Sequence, residues 1–184
     1  NDTLLVVTEP RRNRFHVFDL RTDAHIGAFG DGYSDGRRLR DPRGIALYAD
    51  GRVAVADHGN DRVAVFSADV ATLLGTFPLP KAQGVAVAPD GSVYVTDRGN
   101  HRVQRFTRDG GFLAAWGGNG RALGEFRSPQ GIAVAADGTV FVSDLLNHRI
   151  VSFAPDGTPR REWGTIGSDP GQFVVGAGRI VSRS

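Results

Sequence analysis

Apolar residues recur along this chain in short runs and period-two alternations, with no stretch at helical spacing. Gly44-Ile45-Ala46-Leu47, Gly84-Val85-Ala86-Val87 and Gly131-Ile132-Ala133-Val134 are runs suited to strands buried on both faces. An Asp-Gly pair follows each of them: Asp50-Gly51, Asp90-Gly91 and Asp137-Gly138. Such a pair predicts a tight hairpin with a two-residue turn of positive φ. Val-x-Val then alternates into a second strand. After an Asp and an Asn-x-Arg, a third strand ends at Phe66, Phe106 or Phe153. A fourth ends at Phe29, Phe77, Trp116 or Trp163, usually before Gly. The pattern predicts an all-β chain.

The same pattern is an internal repeat. Arg43 to Phe66, Gln83 to Phe106 and Gln130 to Phe153 align without gaps, and a fainter copy runs from Leu4 to Phe18. The matching arginines Arg14, Arg62, Arg102 and Arg149 are spaced by 48, 40 and 47 residues. Four strands in a unit of this length predict a propeller blade. We read one domain over 1–184, with blade units at about 1–30, 42–77, 82–117 and 129–164 and a C-terminal strand at 174–184. The chain opens at what corresponds to a blade's second strand. Val174 to Val181 aligns with Arg127 to Val134, the innermost strand of a unit. Two arrangements follow: that strand completes the first blade and closes a small ring, or the chain is an arc of a larger propeller. A closed ring has no exposed sheet edge.

The order Pro-x-Gly-Ile-Ala-Val, Asp-Gly-x-Val-x-Val, Asp-x-x-Asn-x-Arg, then Trp-Gly resembles the NHL repeat over nearly the whole chain. Asn100-His101-Arg102 and Asn147-His148-Arg149 carry the Asn-His-Arg core of that repeat, whereas Asn60-Asp61-Arg62 departs from it in the middle. The resemblance implies a β-propeller, usually six-bladed, while this sequence holds about four units.

Composition adds boundaries. The 184 residues are 40% hydrophobic and 23% charged, with 25 Gly and 9 Pro, a turn-rich globular balance rather than a disordered one. With no Cys, neither disulfides nor thiolate metal sites can form, and the compartment stays open, a secreted or extracytoplasmic location included. No run reaches the roughly 18 apolar residues of a membrane span. Met is absent even from position 1, so the chain is expected to be a mature or trimmed piece, or part of a longer polypeptide. The net charge of +2 does not favour nucleic acid, although a local basic patch would.

Asp57 with Arg62, Asp97 with Arg102 and Asp144 with Arg149 recur in each unit, whereas an active site occurs once. With Asn60, Asn100 and Asn147 they are expected to form a structural clasp across the turn rather than a catalytic set. No residue is assigned a catalytic role. His16, His25, His58, His101 and His148 show no metal-ligand spacing. Asp31-Gly32-Tyr33-Ser34-Asp35-Gly36 spaces oxygen ligands like a calcium loop, but Arg37, Arg38 and Arg40 follow where a closing Glu would stand. No cofactor is expected, with calcium or zinc as the candidates otherwise.

Strands repeat and loops vary, so ligand contacts are expected in Asp31 to Arg40, Pro78 to Ala82, Gly117 to Arg127 and Thr165 to Gly171. Asp31, Asp35, Arg37, Arg38, Arg40, Asn119 and Arg121 are the candidate contact residues. The leading expectation is a non-enzymatic scaffold that binds a protein, peptide or glycan. By its resemblance the chain has two alternatives: a metal-dependent hydrolase or lyase of lactonase, phytase or amidoglycolate-lyase type, and an RNA-binding basic face.

Overall fold

A computed structural model of the chain describes residues 3–31 and 38–173. The chain divides into two compact units, Asn1–Ala82 and Gln83–Ser184. Every sheet is an antiparallel meander, as blades of a β-propeller are. In the first unit, β1 (Leu4–Glu9), β2 (Arg14–Asp19) and β3 (Ala24–Phe29) form a three-stranded blade. A four-stranded blade follows, of β4 (Pro42–Leu47), β5 (Val53–Asp57), β6 (Arg62–Phe66) and β7 (Leu73–Pro78). The third blade, with β8 (Ala82–Val87), β9 (Val93–Asp97), β10 (Arg102–Phe106) and β11 (Phe112–Gly117), begins at the boundary of the second unit. The fourth holds β12 (Pro129–Val134), β13 (Val140–Asp144), β14 (Arg149–Phe153) and β15 (Pro159–Trp163). The strand expected at 174–184 lies outside the described residues.

The middle strands carry the cores. β5 and β9 are buried throughout. In the first unit Phe15 meets Phe66 at 5.5 Å and Phe29 at 5.8 Å between ring centroids, with Val6, Val17, Val53 and Val55 around them. In the second, Phe153 meets Phe126 at 5.4 Å and Trp116 at 6.0 Å, among Val140, Val142 and Val151. Burying a side chain of this size contributes about 1.5–3 kcal/mol, so these rings hold each pair of blades together. The outer strand β15 is exposed along its length and carries Arg160, Arg161 and Glu162, charges that discourage edge-to-edge pairing.

The Asp-Gly hairpins differ from the two-residue turn that the sequence predicts. Tyr48 N–H donates to Arg52 O and Gly51 N–H to Tyr48 O, which encloses a three-residue loop, Ala49-Asp50-Gly51. Only its glycine has positive φ, +88°. Asp50 instead uses its carboxylate to accept from Arg52 N–H, and Asp90 and Asp137 do the same for Ser92 and Thr139. A turn ending on a left-handed glycine matches the strand twist with one residue, rather than two, at positive φ.

A candidate recognition surface at the turn ends of the blades

Each blade has one turn of 3-10 helix, between the first and second strands of the three-stranded blade and between the second and third of the others: Pro10–Arg12, His58–Asn60, Arg98–Asn100 and Leu145–Asn147. Each turn closes on a left-handed residue, Asn13, Asp61, His101 or His148, at φ between 53° and 56°. Asn, Asp and His tolerate this region better than other side-chain-bearing residues. Their side chains also explain the choice. Asn13 Oδ1 accepts from Asp41 N–H at 2.9 Å, Asp61 Oδ1 from Lys81 N–H at 3.0 Å, and His101 Nδ1 from Ser128 N–H at 3.1 Å. Asp41, Lys81 and Ser128 are themselves left-handed and lead into the inner strands. One repeat position thus anchors the next inner strand.

Beneath three of the turns lies a fully buried acid. Asp57 accepts from Arg62 Nε at 2.7 Å, from Asn60 Nδ2 at 2.8 Å and from Arg40 N–H at 2.7 Å. Asp144 accepts from Arg149 Nε at 3.0 Å, Asn147 Nδ2 at 2.7 Å and Arg127 N–H at 2.7 Å. In the third blade the residue aligned with Arg40 and Arg127 is Pro80, which has no N–H. Asp97 is satisfied by Arg102 Nε at 2.8 Å, both carboxylate contacts of Asn100 Nδ2, and Gln104 Nε2 at 2.9 Å. These bonds compensate the desolvation of three buried carboxylates.

The first blade has a clasp that the letters hid, because its acid is Glu9 rather than Asp. Arg14 Nε donates to Glu9 Oε2 at 2.7 Å, and His16 Nε2 lies 3.0 Å from the same oxygen. His16 stands at the register position of Gln104, two residues after the clasp arginine. His16 and Arg14 together hold the Glu9 carboxyl below its usual value. His25 Nε2 sits 3.0 Å from His16 Nδ1, with its ring against Phe18. The alignment of Glu9 with Asp57 was the available signal.

The arginine and asparagine of a clasp also grip the loop that enters the blade. Arg149 donates through its Nη atoms to Arg121 O at 2.8 Å, Ala122 O at 3.0 Å and Glu125 O at 2.9 Å, and Asn147 reaches Gly120 O at 2.8 Å. In the second blade, Arg62 and Asn60 both donate to Arg38 O, at 3.2 and 2.9 Å. Two of the loops read as variable from sequence share one backbone course. Phe126 N–H donates to Gly118 O and Gly120 N–H to Phe126 O; Phe173 N–H donates to Thr165 O and Gly167 N–H to Phe173 O. Leu39 N–H likewise donates to Gly30 O. Leu39, Leu79 and Phe126 are buried as plugs before their inner strands, so side chains vary there on a repeated frame.

Among the expected contact residues, Asp31 is exposed and faces Arg14 Nη1 at 3.5 Å. Arg38 and Arg40 are exposed but serve the clasp through main-chain atoms. Asn119 is exposed and bridges to Phe126, and Arg121 Nη1 donates to Asn147 O at 3.4 Å. Asp35 and Arg37 lie outside the described residues. In the first unit a cleft of about 520 Å³ opens among Thr8, Glu9, Pro10, Arg11, Asp41 and Arg43. Thr8 Oγ1 donates to Arg43 O at 2.8 Å, and Arg43 Nη2 to Asp41 Oδ2 at 2.7 Å, so these polar groups of its wall are prearranged. Arg11 is exposed at its rim. Among the described residues, no group of three His, Cys, Asp or Glu is disposed to hold a metal ion, and no helix is long and apolar enough to cross a membrane.

A profile of the NHL repeat matches residues 39–66, 79–106 and 126–153, each stretch running from a buried plug to the end of a third strand. No curated protein sequence matches the chain. Among solved structures, it is similar to a streptogramin B lyase at 16% identity and a TM-score of 0.68, over 89% of this chain and 51% of that one. A virginiamycin B lyase from Staphylococcus aureus matches at 16% identity and 0.66, over 91% and 54%. The hydrazine synthase of Kuenenia stuttgartiensis matches at 14% and 0.68, over 87% and 45%. The chain spans about half the length of these proteins, and at such identities the likeness is one of fold.

Proposed function

We propose that this chain, an NHL-repeat protein folded as β-propeller blades, is a recognition module that binds protein or peptide at the turn ends of its blades. One observation carries the reading: the recurrent acids, asparagines and arginines are spent on rigidifying the turn ends, while exposed side chains such as Arg11 and Arg43 in the first unit, and Asn119 and Arg127 in the second, are left outward on the anchored backbone of each unit. A prearranged surface of mixed charge loses little conformational entropy on binding. Arginine suits such a surface, since its planar fork matches carbonyl and carboxylate oxygens. The streptogramin B lyase likeness supports the fold alone.

The test is a random-peptide display selection on the whole chain, with the bound footprint read by amide hydrogen exchange. Enriched peptides should protect the 3-10 turns and the loops entering the blades. Enrichment of none, or protection confined to the Asp-Gly hairpins at the opposite ends, would refute the proposal. Binding of single-stranded RNA in preference to every peptide, with a steep salt dependence, would assign the surface to nucleic acid instead.

A further inference from the structure

The three clasps with a buried Asp differ in how much of the arginine they use. Arg149 is 2% exposed, Arg62 19% and Arg102 42%. The difference follows from the chain lengths entering the blades. From Phe29 to Pro42 the connection holds 12 residues, and from Gly117 to Pro129 it holds 11. Each supplies main-chain carbonyls to the Nη atoms of Arg62 or Arg149. Only three residues, Leu79, Pro80 and Lys81, separate Pro78 from Ala82. No comparable loop is available for the third blade.

Arg102 keeps the Nε bond to Asp97, and its Nη atoms have no partner among the described residues. Its guanidinium is nevertheless set like the other two. Nε is fixed by a buried acid, and that acid is satisfied independently by Asn100 and Gln104. The Nη edge is therefore presented outward at a defined angle, beside the exposed Arg98 and Asn100 of the same turn. Arg98 is itself fastened, through Nε, to Ser128 Oγ at 2.6 Å.

We propose that this Nη edge of Arg102 is a socket for a peptide turn of the partner, which offers main-chain carbonyls as residues 120–125 offer them to Arg149 and Asn147. The inference rests on the recognition reading above and names the chemistry of one contact within it. In the fourth blade the same acid–arginine pair takes three carbonyls, besides the Glu162 carboxylate of β15, whose place in β11 is held by Ala115, so carbonyls are the part of that arrangement an incoming turn would supply. A glycine-bearing turn is favoured, since Gly118, Gly120 and Gly124 let the loop at 117–126 bring its carbonyls to one point, with Gly118 and Gly124 at positive φ.

The experiment titrates a cyclised peptide with the sequence of residues 117–126 (GGNGRALGEF) into the full chain. The Arg102 Nε–Hε resonance is followed by NMR and the affinity by calorimetry. The resonance should shift saturably. Arg102→Lys keeps the charge but loses the fork and should weaken binding about tenfold. Because Asp97 retains Asn100 and Gln104, that variant is expected to fold. A second variant grafts the same ten residues between Pro78 and Leu79, so that the chain carries its own occupant; it should abolish peptide binding and raise Tm. An unmoved resonance, equal affinity for Arg102→Lys, or full binding by the grafted chain would each overturn the socket. If displayed peptides bind the turn ends indifferently to Arg102, only the socket falls; if none binds anywhere, the recognition reading falls with it.

Discussion

Replacing the clasp arginines one at a time should produce a graded loss of stability, ordered by burial rather than by motif. Arg149→Ala removes the Nε bond to Asp144, three bonds to loop carbonyls and the contact with Glu162. Asp144 stays fully buried with only Asn147 and the Arg127 N–H as partners. Breaking a buried ion pair on one side costs about 3–5 kcal/mol. For a chain of this size, with roughly 2–4 °C of Tm lost per kcal/mol, Tm should fall by about 6–20 °C. Arg102→Ala strands no carbonyl, and buried Asp97 keeps Asn100 and Gln104, so only one bond to the acid is lost and a smaller cost of about 1–3 kcal/mol is expected. Arg62→Ala should fall between the two. Denaturant midpoints with calorimetry would rank the three, and hydrogen exchange at Arg121 to Glu125 would show whether the loop loosens only in Arg149→Ala. Equal losses for Arg149→Ala and Arg102→Ala, within about 0.5 kcal/mol, would refute the view that loop anchoring is the main contribution of the clasp.

Acid should weaken the first blade through Glu9, whose carboxyl is held below its ordinary value of 4.5 by His16 and Arg14. A carboxyl depressed in the folded state stabilises fully above that value, and the contribution is lost as pH falls through the lower folded one. Glu9→Gln should therefore flatten the decline of Tm below about pH 4.5, and an unchanged acid limb would sink the assignment. Gly117→Ala should destabilise by about 1–3 kcal/mol, since φ is +116° and a Cβ would lie 2.9 Å from Arg102 Cα and His101 O. Gly75→Ala in β7, with ordinary φ and nothing within 4 Å of a Cβ, should be neutral or stabilise by about 0.5 kcal/mol. Urea midpoints of the pair decide this, and a cost at Gly75 equal to that at Gly117 would count against it.

Much was legible in the residues because a repeat copies its own constraints. Strand endings, Asp–Arg spacing and the all-β class follow from recurrence, since each blade must bury the same face and satisfy the same acid. Three things were not legible. The first clasp was hidden because Glu9 does not match the letter at its position, although it accepts the same bonds. The hairpins enclose three residues because backbone twist, not the Asp-Gly pair alone, sets their length. The loops at 117–126 and 164–173 read as variable because their side chains differ, yet main-chain hydrogen bonds give them one course.

By itself, then, the sequence determined which elements form and which residues recur, because periodicity and turn chemistry act over a few neighbouring positions. Only the tertiary structure decided which copies of the motif are used up and which is left open. Arg62, Arg102 and Arg149 occupy equivalent positions in the repeat and differ in exposure from 2% to 42%. That difference depends on whether a distant stretch of backbone arrives with carbonyls to be bonded, which no local pattern around the arginine records.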